Sequence, residues 1–124
     1  MGNNSGELEF NFKKENTLEE RKKKYNELKD LHPDKIPIII EKGKSYNLKD
    51  IGILKFLLNR EDTISKLDYH VRKRLDIDNE QFLYLFNAKN SPIPFGISIG
   101  EAYDKYKGSD GFLYLAYASE LLWG

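Results

Sequence analysis

Gly124, the last residue, is the first candidate for chemistry. Acyl activation needs a free carboxylate threaded through a narrow channel, and a residue without Cβ lets the backbone approach closely. From Ser119 onward the tail carries no turn or helix signal, as a segment offered to an enzyme requires. Many chains end in glycine without such a role, so the residue alone decides nothing. Other reactive groupings fail on spacing. His32 and His70 are the only histidines, and neither has a carboxylate or cysteine partner at ligand spacing, so no metal is expected. Cysteine is absent, which removes disulfides, thiolate metal sites and a cysteine nucleophile, and suits a reducing compartment. Ser91, Ser98 and Ser119 sit in no nucleophile elbow. Gly96-Ile97-Ser98-Ile99-Gly100 has the wrong spacing for a phosphate loop. No catalytic residues and no cofactor are expected; the chain does not read as an enzyme.

Charge narrows the partners. Lys+Arg and Asp+Glu both number 20, a formal net charge of zero, whereas proteins that grip phosphate backbones usually show a basic excess. Nucleic acid is therefore not expected. Arg21-Lys22-Lys23-Lys24 is a basic run, but Glu19, Glu20, Glu27 and Asp30 share its helix, so it reads as a solvated face. No apolar run approaches the roughly 20 residues needed to span a bilayer. Membrane attachment would have to be covalent or borrowed from a partner. The polar start, Met1 to Gly6, is not expected to be a signal peptide, and Gly6 stands where a myristoylation pattern wants Ser or Thr.

The elements that must position any site follow from patterning. The length of 124 residues, with 40% hydrophobic content, fits one domain with a modest core. Residues 1–11 read as a mobile tail, with a helical turn around Leu8 to Phe12. Thr17 caps a helix whose acidic Glu19 and Glu20 suit the first turn, with Leu18, Tyr25 and Leu28 on one face. His32-Pro33 ends it. Ile36-Pro37-Ile38-Ile39-Ile40 reads as a buried strand, with Pro37 near its start or facing an unpaired side. Lys55-Phe56-Leu57-Leu58 is a short antiparallel partner. Thr63 opens a helix with Ile64, Leu67, Val71 and Leu75 as its buried stripe. Phe82 to Phe86 reads as an interior strand, Ile99 to Tyr106 as a short helix, and Phe112 to Ala118 as the last strand. A crossover pairing the first and last strands in parallel makes this an α+β fold. It is the ubiquitin-like β-grasp roll (ββαβαβ, a mixed four-stranded sheet) with an N-terminal helical extension. The expected division is 1–31 tail and helical extension, 32–118 ubiquitin-like domain, and 119–124 flexible tail.

Three stretches carry a family likeness. His32-Pro33-Asp34-Lys35-Ile36-Pro37-Ile38-Ile39-Ile40-Glu41, Lys55-Phe56-Leu57, and Asp110-Gly111-Phe112-Leu113-Tyr114-Leu115-Ala116-Tyr117-Ala118-Ser119, with Gly124 last, resemble the autophagy ubiquitin-like modifiers. These are the relatives of the GABA-receptor-associated protein and microtubule-associated light chain three. The likeness runs from about Phe12 to Gly124, in order. It implies conjugation of Gly124 to phosphatidylethanolamine on autophagosomal membranes, by an activating and a conjugating enzyme, with a cysteine protease for processing and deconjugation. It further implies a cytoplasmic protein that becomes membrane-bound when lipidated. Cargo receptors with aromatic-x-x-aliphatic motifs would add as a strand, and tubulin is a candidate partner of the helical extension.

Carried over by position, the aromatic pocket is Leu28, Pro37, Ile39, Lys55, Leu57 and Phe112. The aliphatic pocket is Phe56, Leu58, Leu67 and Val71, with Arg74 at its rim; Lys35, Lys55 and Arg74 would meet acidic flanks. Ile39, Leu57 and Val71 read equally as core. Lys24 stands where the family usually has an acidic residue, which points to Phe or Tyr rather than Trp ligands. Asn59 replaces a usual proline and His70 an apolar residue, making the second pocket more polar. Trp123-Gly124 resembles the ending of the sister modifier joined to a protein lysine. That sister, and an unconjugated ubiquitin-like peptide-binding adaptor, are the alternatives.

Overall fold

A computed structural model describes residues 7–44 and 47–120. Its elements are α1 (Asn11–Glu15), α2 (Leu18–Leu31), β1 (Lys35–Lys42), β2 (Leu54–Asn59), α3 (Ile64–Leu75), β3 (Tyr84–Asn87), α4 (Ile99–Tyr106) and β4 (Leu113–Ala118). The sheet order is β2-β1-β4-β3. β1 runs antiparallel to β2 and parallel to β4, and β3 is antiparallel to β4. This is the ubiquitin-like roll, with α1 and α2 as its N-terminal addition.

Helix starts obey local chemistry. Thr17 and Glu20 form a reciprocal capping box at α2, and Thr63 and Ser98 accept from backbone amides at α3 and α4. Pro37 lies on the stretch of β1 paired only with β2, because the parallel ladder to β4 begins at Ile38. Its missing donor therefore interrupts no bond to β4.

Alternation along β1 and β4 divides the apolar residues between two faces. Ile36, Ile38, Ile40, Leu113, Leu115 and Tyr117 join the α3 stripe of Ile64, Leu67, Val71 and Leu75. Ile39, Phe112, Tyr114 and Ala116 face the other way and are covered by Phe10 and Phe12. The N-terminal stretch is thus part of a second core. Each fully buried aromatic or aliphatic side chain stabilises by about 1.5–3 kcal/mol. The Glu41 carboxylate, 5% exposed, fixes α1 by accepting from the Asn11 and Phe12 amides at 2.7 and 2.9 Å.

Two sequence expectations change. Phe82 to Phe86 is not an interior strand: β3 is an edge, and Phe82 lies outside it at 70% exposure. A returning loop occupies the outer side of β3, with Ile93 N–H donating to Leu85 C=O and Asn87 N–H to Ser91 C=O. Leu18 is 43% exposed and α2 buries none of its residues fully, so the helix rests on the sheet through half-buried Tyr25 and Leu28.

Candidate functional site: the outer edge of β2

Strand β2 ends the sheet, so its outer edge has no partner strand among the described residues. Such an edge presents unpaired N–H and C=O groups that an extended peptide can complete. Cross-strand register sorts the flanking side chains. Ile39 pairs with Lys55 and Pro37 with Leu57 on one face; Ile38 pairs with Phe56 and Ile36 with Leu58 on the other.

On the first face a cavity of about 390 Å³ lies between α2 and β2. Leu28, Pro37, Lys55, Leu57 and Phe112 line it. Ile39, the sixth residue carried over, is fully buried and packs in the second core behind the cavity. Lys55 Nζ stands 5.4 Å from the Phe12 ring centroid, so a cation and an aromatic ring meet at the cavity. Phe12, Glu27, Leu31 and Ile38 also line it without having been foreseen, and Phe56, expected in the second pocket, borders it as well. Helical spacing held a signal for two of them: Lys24, Glu27, Leu28 and Leu31 fall at i, i+3, i+4 and i+7.

The second face is tighter. Phe56 is half-buried beneath two side chains of α3. His70 stacks on its ring at 6.2 Å and 29°, and the Arg74 guanidinium lies 5.0 Å from its centroid. Leu67 and Val71 are fully buried and Leu58 is 7% exposed. Leu67 and Val71 are therefore core beneath Phe56 rather than an open wall, because the α3 stripe points straight at the sheet. Only Phe56 and Arg74 of that predicted set reach the surface appreciably. Lys35 sits opposite Asn59 at the far end of the β1–β2 pair. There the Asn59 N–H donates to Asp62 at 2.9 Å and is the main cause holding that carboxyl below its usual range.

Helix α2 forms one wall, so what fastens it matters. Arg21 Nε lies 3.1 Å from Asp110 Oδ2, with side chains 12% and 2% exposed. The Arg21 Nε–H is not well aimed, and it makes no hydrogen bond, so the contact is mainly charge on charge. Arg21 is thus a buried counterion, not the solvated residue its basic run implies. Asp110 also accepts from the Phe112 amide and the Tyr114 hydroxyl. Burial first, and then the Asp110 carboxylate, push the Tyr114 phenol well above its ordinary pKa. Nearby, the Tyr25 and Tyr103 hydroxyls meet at 3.2 Å and Tyr103 donates to Gly111 C=O at 2.8 Å. Gly111 has φ +101, and a Cβ there would come within 2.6 Å of the Tyr25 ring. Glycine is required on both counts.

Gly124 and Trp123 lie outside the described residues. No helix among the described residues is long and apolar enough to cross a membrane.

A β-grasp roll with this helical layer defines a ubiquitin-like protein. The family model for the autophagy protein Atg8, ubiquitin like, matches residues 20–124. Autophagy-related protein 8B of Oryza sativa subsp. indica is 34% identical over 113 residues, covering 91% of this chain and 94% of that one. Autophagy-related protein 8a of Arabidopsis thaliana is also 34% identical over 113 residues, covering 91% and 92%. The crystal structure of Trypanosoma brucei ATG8 superposes with a TM-score of 0.82 at 29% identity, over 94% of this chain and all of that one. The chain belongs to the Atg8 family of ubiquitin-like autophagy proteins.

Proposed function

We propose that this chain is a modifier conjugated through Gly124 to phosphatidylethanolamine, and that its β2 edge recruits autophagy factors carrying aromatic-x-x-aliphatic motifs. The observation that supports the recruiting role is an unpaired strand edge with a roomy apolar cavity on one face and the Phe56 ring on the other. Side chains three apart on an extended peptide point to opposite faces. An aromatic residue entering beside Leu57 therefore sends the third residue after it towards Phe56. The aromatic side supplies the deep anchor; the second contact is shallow and polar at its rim. Lys35, Lys55 and Arg74 favour acidic flanks, mainly through encounter rate.

Membership in the family supports the rest. The cycle needs an activating enzyme, a conjugating enzyme and a cysteine protease, and it moves a cytoplasmic protein onto the autophagosomal membrane. In this reading residues 32–118 are the recognition body, 1–31 its helical extension and 119–124 the conjugated tail.

Titration calorimetry with an aromatic-x-x-aliphatic peptide tests the groove. Lys55→Glu, which reverses the charge at the cavity, and Leu57→Ala, which empties its wall, should each weaken binding about fivefold or more, the scale of a residue costing 1 kcal/mol on truncation. Unchanged affinity in both variants would remove the groove assignment.

A further inference from the structure

We infer that the start of β3 carries a docking surface for the chain's own tail, where Trp123 packs against the Phe82 and Tyr84 rings and withholds Gly124 until a partner draws it out. The docking stands on geometry alone; its consequence for conjugation rests on the reading above. Leu18, Leu31, Tyr69 and Phe82 are the exposed large apolar side chains among the described residues. Leu31 belongs to the cavity between α2 and β2, and the Lys73 ammonium stands 5.2 Å from the Tyr69 ring. Phe82 differs. Its ring stacks on Tyr84 at 6.3 Å and 14°, which makes a flat aromatic platform. Exposed apolar surface beyond a lone side chain marks an interaction site.

The platform faces the tail. Leu83 and Leu85 turn into the main core, so alternation sends Tyr84 and Phe86 to the opposite face, and the stacked Phe82 stays with Tyr84. On that face Phe86 lines a shallow cleft with Ala116, Ala118 and Glu120. Tyr84 is registered opposite Ala118, so the start of β3 and the exit of β4 lie at one end of the sheet. There the backbone bends at Ser119 and Glu120 instead of running straight on. Four residues follow, and Leu121, Leu122 and Trp123 are all large and apolar. Three extended residues span about 10 Å, which confines Trp123 to the neighbourhood of its own exit. The Phe82 and Tyr84 rings supply the aromatic surface there, and offset stacking suits an indole. A docked Trp123 holds the Gly124 carboxylate against the sheet, whereas a narrow channel requires the tail extended.

Trp123 is the only tryptophan, so its emission reports the tail alone. Acrylamide quenching of the full chain should be about threefold weaker than that of the free peptide Leu-Leu-Trp-Gly, as a docked population of roughly two thirds requires. Phe82→Ser and, separately, Tyr84→Ser should each restore most of the quenching with far-UV dichroism unchanged. Tyr69→Ser, which alters an exposed aromatic on α3, should leave the quenching at the unaltered chain's value. Carboxypeptidase should release Gly124 faster from Phe82→Ser than from the unaltered chain. Quenching of the unaltered chain equal to that of the free peptide, or shielding that survives both platform variants, would overturn the inference. So would shielding that grows with protein concentration, which would place Trp123 on a second copy. Absence of conjugation in every variant would instead sink the Gly124 reading, while the quenching decides the docking.

Discussion

A chain ending at Trp123 is expected to fold as the full chain does, to bind motif peptides equally well, and to form no ATP-dependent conjugate. The carboxylate would then sit on a residue whose indole and Cβ crowd the backbone, where activation calls for close approach along a narrow channel. The loss should be complete rather than graded, because no other carboxylate in the chain has the same setting. The consequence for membrane binding is large. Acyl burial contributes about 0.8 kcal/mol per CH₂, and two chains anchor stably where one does not. One amide bond to phosphatidylethanolamine supplies both chains. Incubation with activating and conjugating enzymes, ATP and liposomes should give a gel-shifted, membrane-pelleted product from the full chain only. A shift that persists without Gly124 refutes the conjugation site. A heavy, lipase-resistant adduct on a protein lysine points instead to the sister modifier.

The second large effect is on stability. Asp110→Ala should destabilise the fold by about 3–5 kcal/mol, the cost of leaving a buried counterion uncompensated. The Tyr114 hydroxyl and the Phe112 amide lose their acceptor, and the Arg21 guanidinium loses its counter-charge. Phe112 lines the aromatic cavity and Arg21 fastens the helix that forms its wall, so peptide affinity should fall along with the unfolding midpoint. Chemical denaturation followed by far-UV dichroism reads the first effect. A loss under 1 kcal/mol would mean that the pair is solvated and that α2 is held by apolar contacts alone.

Legibility in the sequence tracked how local each determinant is. Helix α3 was plain because its cap and its stripe, Thr63 to Leu75, lie within one segment. The cap at Thr17 and the span of α4 were equally local. What stayed hidden depends on contacts made across the fold. Phe10 and Phe12 sit in a polar stretch that reads as a mobile tail, and only the facing surface of Ile39, Phe112 and Tyr114 makes them core. Arg21 looks solvated until the turn bearing Asp110 comes to rest beside it. Phe82 to Phe86 has the apolar pattern of an interior strand, yet β3 is an edge protected by a loop instead of a neighbouring strand. At the candidate site the family motifs located β2 and most of the aromatic cavity. They did not reveal Glu27, whose place follows from the pitch of α2, nor that His70 and Arg74 close over Phe56.

Amide hydrogen exchange along the sheet gives the most direct test of strand addition. With a saturating aromatic-x-x-aliphatic peptide, the amides of Leu54–Asn59 that point away from β1 should exchange markedly more slowly, while those of Tyr84–Asn87 on the opposite edge stay as they were. Binding that leaves β2 exchange unaltered, or that slows the far edge instead, would contradict recognition at β2.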